Sequence, residues 1–120
     1  MATMSPLIRP FKVSVSIEHG KVMVSPDPAE VDEGTSVEWR FEVNPGLPSL
    51  TIEIYFSGAS PTGWMSERAI YSESHSPNPI IGAVAQQPGD YKYGVKASNH
   101  ETNEVIADDD PYLIVRSRGY

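Results

Sequence analysis

The feature that most constrains this 120-residue chain is a strict alternation of apolar and polar residues in short segments. The clearest case is SVEWRFEV, where Val37, Trp39, Phe41 and Val43 share one face of an extended strand and polar residues occupy the other. Burial of the apolar face fixes the register, because a slip of one residue would turn every apolar side chain toward water. No segment has the three-to-four-residue spacing of an amphipathic helix. The sequence therefore predicts an all-β protein.

Similar segments recur along the chain, separated by eleven Pro and nine Gly residues. The further strand candidates are 12–17, 21–25, 51–56, 79–85, 90–98 and 111–116. About seven strands with one buried face each predict a single antiparallel or mixed Greek-key β-sandwich. We expect this domain to cover residues 11–120, with residues 1–10 as a flexible or edge-lying lead-in.

Composition and charge argue against several classes of partner. The net charge is −7, and the nine Lys and Arg residues form no cluster, so we expect binding to neither nucleic acid nor anionic membrane. The chain contains no cysteine, which excludes disulfides and thiolate metal sites. It shows no signal peptide and no apolar run of the roughly 20 residues that a membrane helix needs. The cytoplasm is then the default location, and the periplasm or exterior is the alternative if a signal was removed.

Three segments resemble the cupredoxin-like fold: VMVSPDPAEVDEGTSVEWRFEV, NPGLPS and PGDYKYGV. In that family the second segment ends in a copper-binding His, and the third carries the copper thiolate. Carried over to this chain, the four ligand positions fall on Ser49, Val95, Ser98 and Asn103. A blue-copper site needs a thiolate and two imidazoles, so the resemblance implies the scaffold without copper, and we expect no cofactor.

The segment GDYKY also resembles the tyrosine corner of immunoglobulin-like sandwiches, in which a Tyr hydroxyl bonds to upstream backbone. Tyr91 is the candidate for this role. The resemblance implies that Tyr93 takes the position of the disulfide Cys and that Trp39 packs against it. Both topologies imply a β-sandwich, and the residues alone leave the choice between cupredoxin-like and immunoglobulin-like topology open. The pattern also resembles that of small bacterial proteins.

Metal binding and catalysis have weak support in the sequence. The three histidines lie in separate turns or loops: His19, His75 and His100. Asp108, Asp109 and Asp110 are candidate calcium ligands, but consecutive residues on an extended chain point in opposite directions, which favours a solvated acidic turn. The chain contains no nucleophile elbow, phosphate-binding Gly-rich loop or cysteine nucleophile. We therefore expect a protein that is not an enzyme.

The segment 57–78 is long for a connection within a compact sandwich, and long loops on rigid scaffolds often carry binding residues. Its candidates for contacting a ligand or partner are Trp64, Met65, Arg68, Tyr71 and His75. Their aromatic and cationic side chains are of the kind that contacts either a protein surface or a sugar ring. The favoured interpretation is structural: Trp64 and Tyr71 fold back onto the sandwich, and RAIYS adds a short strand.

Edge strands provide a second binding hypothesis. KVMVSP or PYLIVR could pair with a copy of itself and extend a sheet across a homodimer. The leading functional hypothesis is a non-catalytic module that binds another protein or serves a structural role. The alternatives are a carbohydrate or small-ligand module that uses segment 57–78, and an unconventional metal-binding protein.

Overall fold

The structure is a computed structural model, and it describes residues 9–72 and 78–117. In these two ranges the secondary structure consists of ten β-strands and no helix. The strands are β1 Phe11–Glu18, β2 Lys21–Ser25, β3 Ala29–Asp32, β4 Ser36–Val43, β5 Leu50–Phe56, β6 Ser66–Tyr71, β7 Ile80–Val84, β8 Gly89–Asn99, β9 Val105–Asp109 and β10 Tyr112–Arg116. No helix that could cross a membrane is found in the described ranges.

The strands form two sheets. The first has the order β2-β1-β4-β7, and the second has the order β3-β10-β8-β5-β6 with β9 alongside β8. The pairs β1–β4 and β3–β10 are parallel, and the other pairs are antiparallel. The predicted mixed β-sandwich is confirmed.

All seven predicted segments form strands, and three further strands join them. The short strand expected from RAIYS is confirmed as β6. The alternation of β3 extends over only four residues, too few for a clear signal, and the sequence of β9, VIADD, lacks clean alternation. Partner strands supply the pairing that the local pattern does not indicate.

The long strand β8 has two partners in tandem along one side. Its first half pairs with β10, and its second half pairs with β9. Pro111 lies between β9 and β10, and its carbonyl accepts a hydrogen bond from the Tyr93 backbone N–H at 3.0 Å. Residues 105–116 therefore lie alongside β8 over its whole length, and Pro111 divides them into the two strands β9 and β10.

The core lies between the inner faces of the two sheets. The apolar positions predicted to face inward in β4 are buried there or, for Val43, packed against the core at its margin, and the alternate apolar positions of β1, β5 and β8 are buried as well. An aromatic cluster occupies its centre: the Trp39 ring lies 5.7 Å from Tyr93 between centroids, and Phe56 lies 5.5 Å from Tyr93. The Trp39 Nε1–H donates a hydrogen bond to the Tyr93 hydroxyl at 3.1 Å, so the indole polar group is satisfied inside the core.

Burial of Tyr93 couples the stability of the protein to alkaline pH. Burial raises the pKa of the Tyr93 hydroxyl well above its usual range; the Trp39 hydrogen bond lowers that pKa, and the charges of Asp27 and Asp109 raise it further. The folded state therefore holds this proton more tightly than the unfolded state. The resulting contribution of Tyr93 to the free energy of unfolding is fully present below the unfolded pKa of about 10. It is lost as pH rises toward the higher pKa of the folded state.

We expect the melting temperature of the wild-type protein to fall more steeply above about pH 10 than that of Tyr93→Phe. Melts followed by circular dichroism at a series of alkaline pH values measure this difference. Equal slopes for the two proteins would show that the Tyr93 hydroxyl does not contribute to the loss of stability at alkaline pH.

Tyr91 forms the predicted tyrosine corner. Its hydroxyl bonds to the carbonyls of Gln87 and Pro88, at 3.0 and 3.1 Å. These bonds tie the start of β8 to the connection that precedes it.

We expect Tyr91→Phe to lower the free energy of unfolding by about 1 kcal/mol, because a partly buried hydrogen bond to backbone is lost while the ring remains. Urea denaturation measures the change. Tyr112→Phe, at an exposed ring, is the matched control and should have little effect. Equal losses from both substitutions would contradict a stabilising corner.

The prediction that PYLIVR is an edge strand is wrong. This segment forms β10, which lies between β3 and β8 and pairs with both. For KVMVSP the edge position is confirmed, because β2 lies at the edge of the first sheet, while its pairing with a second copy stays a prediction. The alternating pattern shows which face of β10 is buried, but it does not show that β3 covers its second backbone edge.

Candidate binding groove on the outer face of the second sheet

A groove of about 480 Å³ lies on the outer face of strands β6, β5, β8 and β9. The alternation in β5 creates it: Ile52 and Ile54 face the core, so Thr51 and Glu53 face outward. The groove is lined by Thr51, Glu53, Arg68, Ile70, Lys96, Ser98, His100, Asn103 and Val105.

One cross-strand row of the groove is charged. Arg68 of β6, Glu53 of β5 and Lys96 of β8 lie opposite one another, and Asp108 of β9 extends the row. The Glu53 carboxylate lies 3.6 Å from Arg68 Nε and 3.4 Å from Lys96 Nζ. Surface ion pairs of this kind stabilise a fold by at most about 1 kcal/mol. Their main effect here is to fix the position of the Glu53 carboxylate between two cations.

The next row combines apolar ends with a polar centre. Its members across the four strands are Ile70, Thr51, Ser98 and Val105. The two ends are exposed apolar side chains, with Ile70 61% and Val105 49% accessible to solvent. A register irregularity between Ala97 and Ser98 places Val105 opposite Ser98.

The turn between β8 and β9 forms one end of the groove. The His100 Nδ1 lies 2.8 Å from the Thr51 hydroxyl, and the His100 backbone N–H donates to the Ser49 carbonyl at 2.9 Å. The Asn99 side-chain carbonyl accepts two backbone N–H groups of the turn. Asn103 has a φ of 64°, a left-handed conformation that Asn adopts more readily than most residues. These bonds hold the turn in one conformation beside the groove.

The five candidates from segment 57–78 occupy different environments. Trp64 is partly buried, with its ring centroid 6.2 Å from Trp39 and 5.7 Å from Phe56, and Tyr71 is buried in the core. Met65 is exposed, and Arg68 lines the groove. His75 lies outside the described residues. Both rings therefore pack against the sandwich, and Arg68 alone of the described candidates belongs to the groove.

The acidic segment places its carboxylates on different faces. Asp108 lies opposite Lys96 on the outer face of the second sheet, whereas Asp109 lies opposite Val95 on the inner face. Asp110 follows in the connection to β10. In the described ranges, no group of three or more His, Asp or Glu side chains is arranged to hold a metal ion.

The positions at which the cupredoxin resemblance places copper ligands do not converge on one site. Val95 is fully buried in the core, whereas Ser98 and Asn103 line the groove. Ser49 contributes its backbone carbonyl to the turn. None of these four side chains is a thiolate, imidazole or thioether.

We expect elemental analysis of protein purified without chelator to find copper, zinc and calcium far below one ion per chain. The melting temperature should not change after EDTA treatment, because no ligand set in the described ranges holds an ion in the folded state. Stoichiometric metal with a lowered melting temperature after EDTA would contradict this expectation.

Most groove residues were missed by sequence reasoning. Thr51, Glu53 and Lys96 alternate with buried apolar residues, so each resembles an ordinary polar position of a strand. A signal was available, since the outward positions of β5 and β8 mix hydroxyl and charged side chains. Which strands lie side by side decides which of these residues meet, and local alternation does not provide that information.

No family model matches the sequence, and no curated protein matches it. Among solved structures, a copper nitrite reductase from Nitrosomonas europaea is similar over 92% of this chain, with 12% identity and a TM-score of 0.49. This chain covers 43% of the length of that reductase.

Two other structures are similar along most of their own length. Auracyanin B matches 95% of this chain and 92% of its own, with 12% identity and a TM-score of 0.48. The PKD domain of human KIAA0319 matches 100% of this chain and 96% of its own, with 17% identity and a TM-score of 0.48. The class of this protein, a mixed two-sheet β-sandwich, is defined by its own strand order and register.

Proposed function

We propose that this protein is a non-catalytic binding module and that it binds another protein through the groove on β6, β5, β8 and β9. One observation carries the proposal. The row from Ile70 to Val105 has exposed apolar side chains at both ends and hydroxyl groups between them. Protein interfaces combine apolar contacts with hydrogen bonds in a similar way.

The charged row supports specificity in the proposed contact. Arg68 and Lys96 are partly exposed, with 68% and 37% of their side chains accessible, while Glu53 is 15% accessible. A partner carboxylate could approach the two cations from solvent, whereas the Glu53 charge is already compensated. We therefore expect the partner to present an acidic or hydrogen-bonding group beside its apolar contacts.

Rigidity also favours binding at this face. Strands β5 and β8 each pair on both sides, and the turn that carries His100 is held by backbone and side-chain hydrogen bonds. A preorganised surface loses less conformational entropy when it binds.

Affinity isolation with tagged variants tests the proposal. The groove variant replaces Ile70 and Val105 by glutamate, and the matched control is Met23→Glu, at a 51% exposed residue on the first sheet. We expect the wild type and the control to retain a common set of proteins that the groove variant loses. Equal recovery by all three, with each variant shown to be folded by circular dichroism, would refute the proposal.

A small polar ligand is a second candidate, favoured by the size and lining of the groove. About 480 Å³ lies within the range of known ligand pockets, and hydroxyl, carboxylate and imidazole groups line it. A sugar-stacking role for Trp64 and Tyr71 has less support, because both rings pack against the core. Thermal-shift measurements with mono- and oligosaccharides test this candidate, with Ser98→Trp as the variant that fills the groove. A saccharide-induced shift in the wild type that Ser98→Trp abolishes would favour it over a protein partner.

A further inference from the structure

In the described ranges five strands have an edge without a strand partner, and four of them are protected from pairing with another strand. These edge strands are β2 and β7 in the first sheet and β3, β6 and β9 in the second, where β9 pairs with β8 alone. Strand β2 lies beside β9, and the Gly20 N–H donates to the Ile106 carbonyl at 3.1 Å. Strand β3 has only four residues, two of them acidic, and β6 contains Glu67 and Arg68. Shortness, charge and coverage are common protections of edge strands.

Strand β7 is less protected: it contacts β6, and the Gln86 N–H just past its end donates to the Pro61 carbonyl at 2.7 Å, but in the described ranges no strand pairs with its outer side. Its sequence, IIGAV, contains neither charge nor proline. Ile80 is 51% exposed and Val84 is 45% exposed, and both lie on the outer face of the first sheet. An apolar, uncharged edge strand is a surface on which another strand can add.

The backbone groups of β7 point alternately toward β4 and away from it. The Phe41 N–H donates to the Pro79 carbonyl, and the Ala85 N–H donates to the Thr35 carbonyl, so odd-numbered residues bond toward β4. Because backbone groups alternate in direction along an antiparallel strand, Ile80, Gly82 and Val84 direct their N–H and C=O groups away from β4. In the described ranges no strand pairs with this side of β7.

We infer that β7 pairs antiparallel with β7 of a second copy of this chain, about a twofold axis at Gly82. In this register Ile80 of one copy lies opposite Val84 of the other, and the two Gly82 residues face each other. The residues with free backbone groups then form the hydrogen-bonded pairs of the new ladder. Every opposed pair is apolar, so the strand is complementary to itself. This self-complementarity identifies a second copy as the occupant.

Electrostatics permit this pairing despite the net charge of −7 on each chain. On β4, the strand that pairs with β7, Arg40 Nε lies 3.0 Å from Glu38 Oε1 and compensates it. Across the axis the two Glu38 residues are separated by three strand spacings, about 14 Å. This exceeds the Debye length of about 8 Å at physiological ionic strength.

Gly82 itself is consistent with a position on the axis. Glycine weakens the interior of a strand, so it often marks a place where another backbone approaches. Within one copy, a Cβ at Gly82 would meet only the Val37 carbonyl at 3.7 Å, an ordinary contact. Packing within the monomer therefore does not require glycine here. Beside a second copy, the missing side chain leaves room for the isoleucine and valine pairs on either side.

Sedimentation velocity over a concentration series tests the inference. We expect the wild type to show a reversible monomer–dimer equilibrium, and Val84→Lys to weaken the dimer at least tenfold, because it places a charge opposite Ile80 of the second copy. Met23→Lys is the control, since Met23 is similarly exposed on the outer face of the edge strand β2. It should leave the dimer unchanged. A wild type that stays monomeric at its highest soluble concentration would overturn the inference, as would equal effects of the two lysines.

A cross-linking experiment tests the axis, and the cysteine-free sequence makes each introduced thiol unique. With a short bis-maleimide, Gly82→Cys should give a covalent dimer in high yield, and Met23→Cys should give little. Higher yield from Met23→Cys would place the interface at β2 and overturn the inference. The dimer is independent of the proposed groove, so Ile70→Glu with Val105→Glu should leave the sedimentation unchanged.

Discussion

Trp39→Ala should destabilise the protein more than truncation of any other side chain in the aromatic cluster. The Trp39 side chain is completely buried, and its ring packs edge-on against both Tyr93 and Trp64. Truncation of a buried Trp to Ala costs about 3–5 kcal/mol, because contacts are lost and a cavity remains. Domains of this size are stable by about 5–15 kcal/mol. We therefore expect a large fall in the urea midpoint, or a chain that no longer unfolds cooperatively.

Urea denaturation followed by circular dichroism measures this effect, and Trp64→Ala is the internal control. Trp64 belongs to the same aromatic cluster but lies at its partly buried margin. Its truncation should cost clearly less than that of Trp39. A larger loss of stability from Trp64→Ala would contradict the position of Trp39 at the centre of the core.

Tyr93→Phe is the second prediction, and its effect comes from a single oxygen atom. The substitution keeps the ring but removes the hydroxyl that accepts the Trp39 N–H. A buried donor left without a partner costs about 1–3 kcal/mol. The free energy of unfolding should fall by that amount at neutral pH.

A double-mutant cycle tests the cause of this loss. If the hydrogen bond is responsible, Tyr93→Phe should cost less in a Trp39→Phe background, where no indole N–H remains to be satisfied. An equal loss of stability in both backgrounds would show that the Trp39 hydrogen bond is not its cause and that other contacts of the Tyr93 hydroxyl are. Tyr112→Phe again serves as the exposed control.

The sequence predicted the core of the fold well, because alternation reports burial directly. The buried faces of β1 and β4 follow from residue spacing, and the roles of Tyr91 and Trp39 follow from the immunoglobulin-like resemblance. The strand order was not predictable in the same way. β10 is flanked by β3, a parallel neighbour distant in sequence, so its place inside the sheet depends on contacts that no local pattern records.

The candidate site was less predictable than the fold. The long segment 57–78 attracted attention because of its aromatic residues, but Trp64 and Tyr71 pack inward. The groove instead forms where β5 and β8 bring Glu53 and Lys96 together with Arg68 from β6. Each of these residues by itself resembles an ordinary solvent-facing position of a strand, and their convergence depends on strand pairing.

The most direct test of the central claim, that the groove is a protein-binding surface, is site-specific photo-cross-linking in the cells that express the protein. A photoreactive amino acid at Ser98, in the groove, is compared with one at Ser14, which faces outward on the first sheet. We predict a discrete cross-linked species from position 98 that is absent from position 14 and is lost when Ile70 and Val105 are replaced by glutamate. No adduct at position 98, or the same adducts from both positions, would contradict the proposed function.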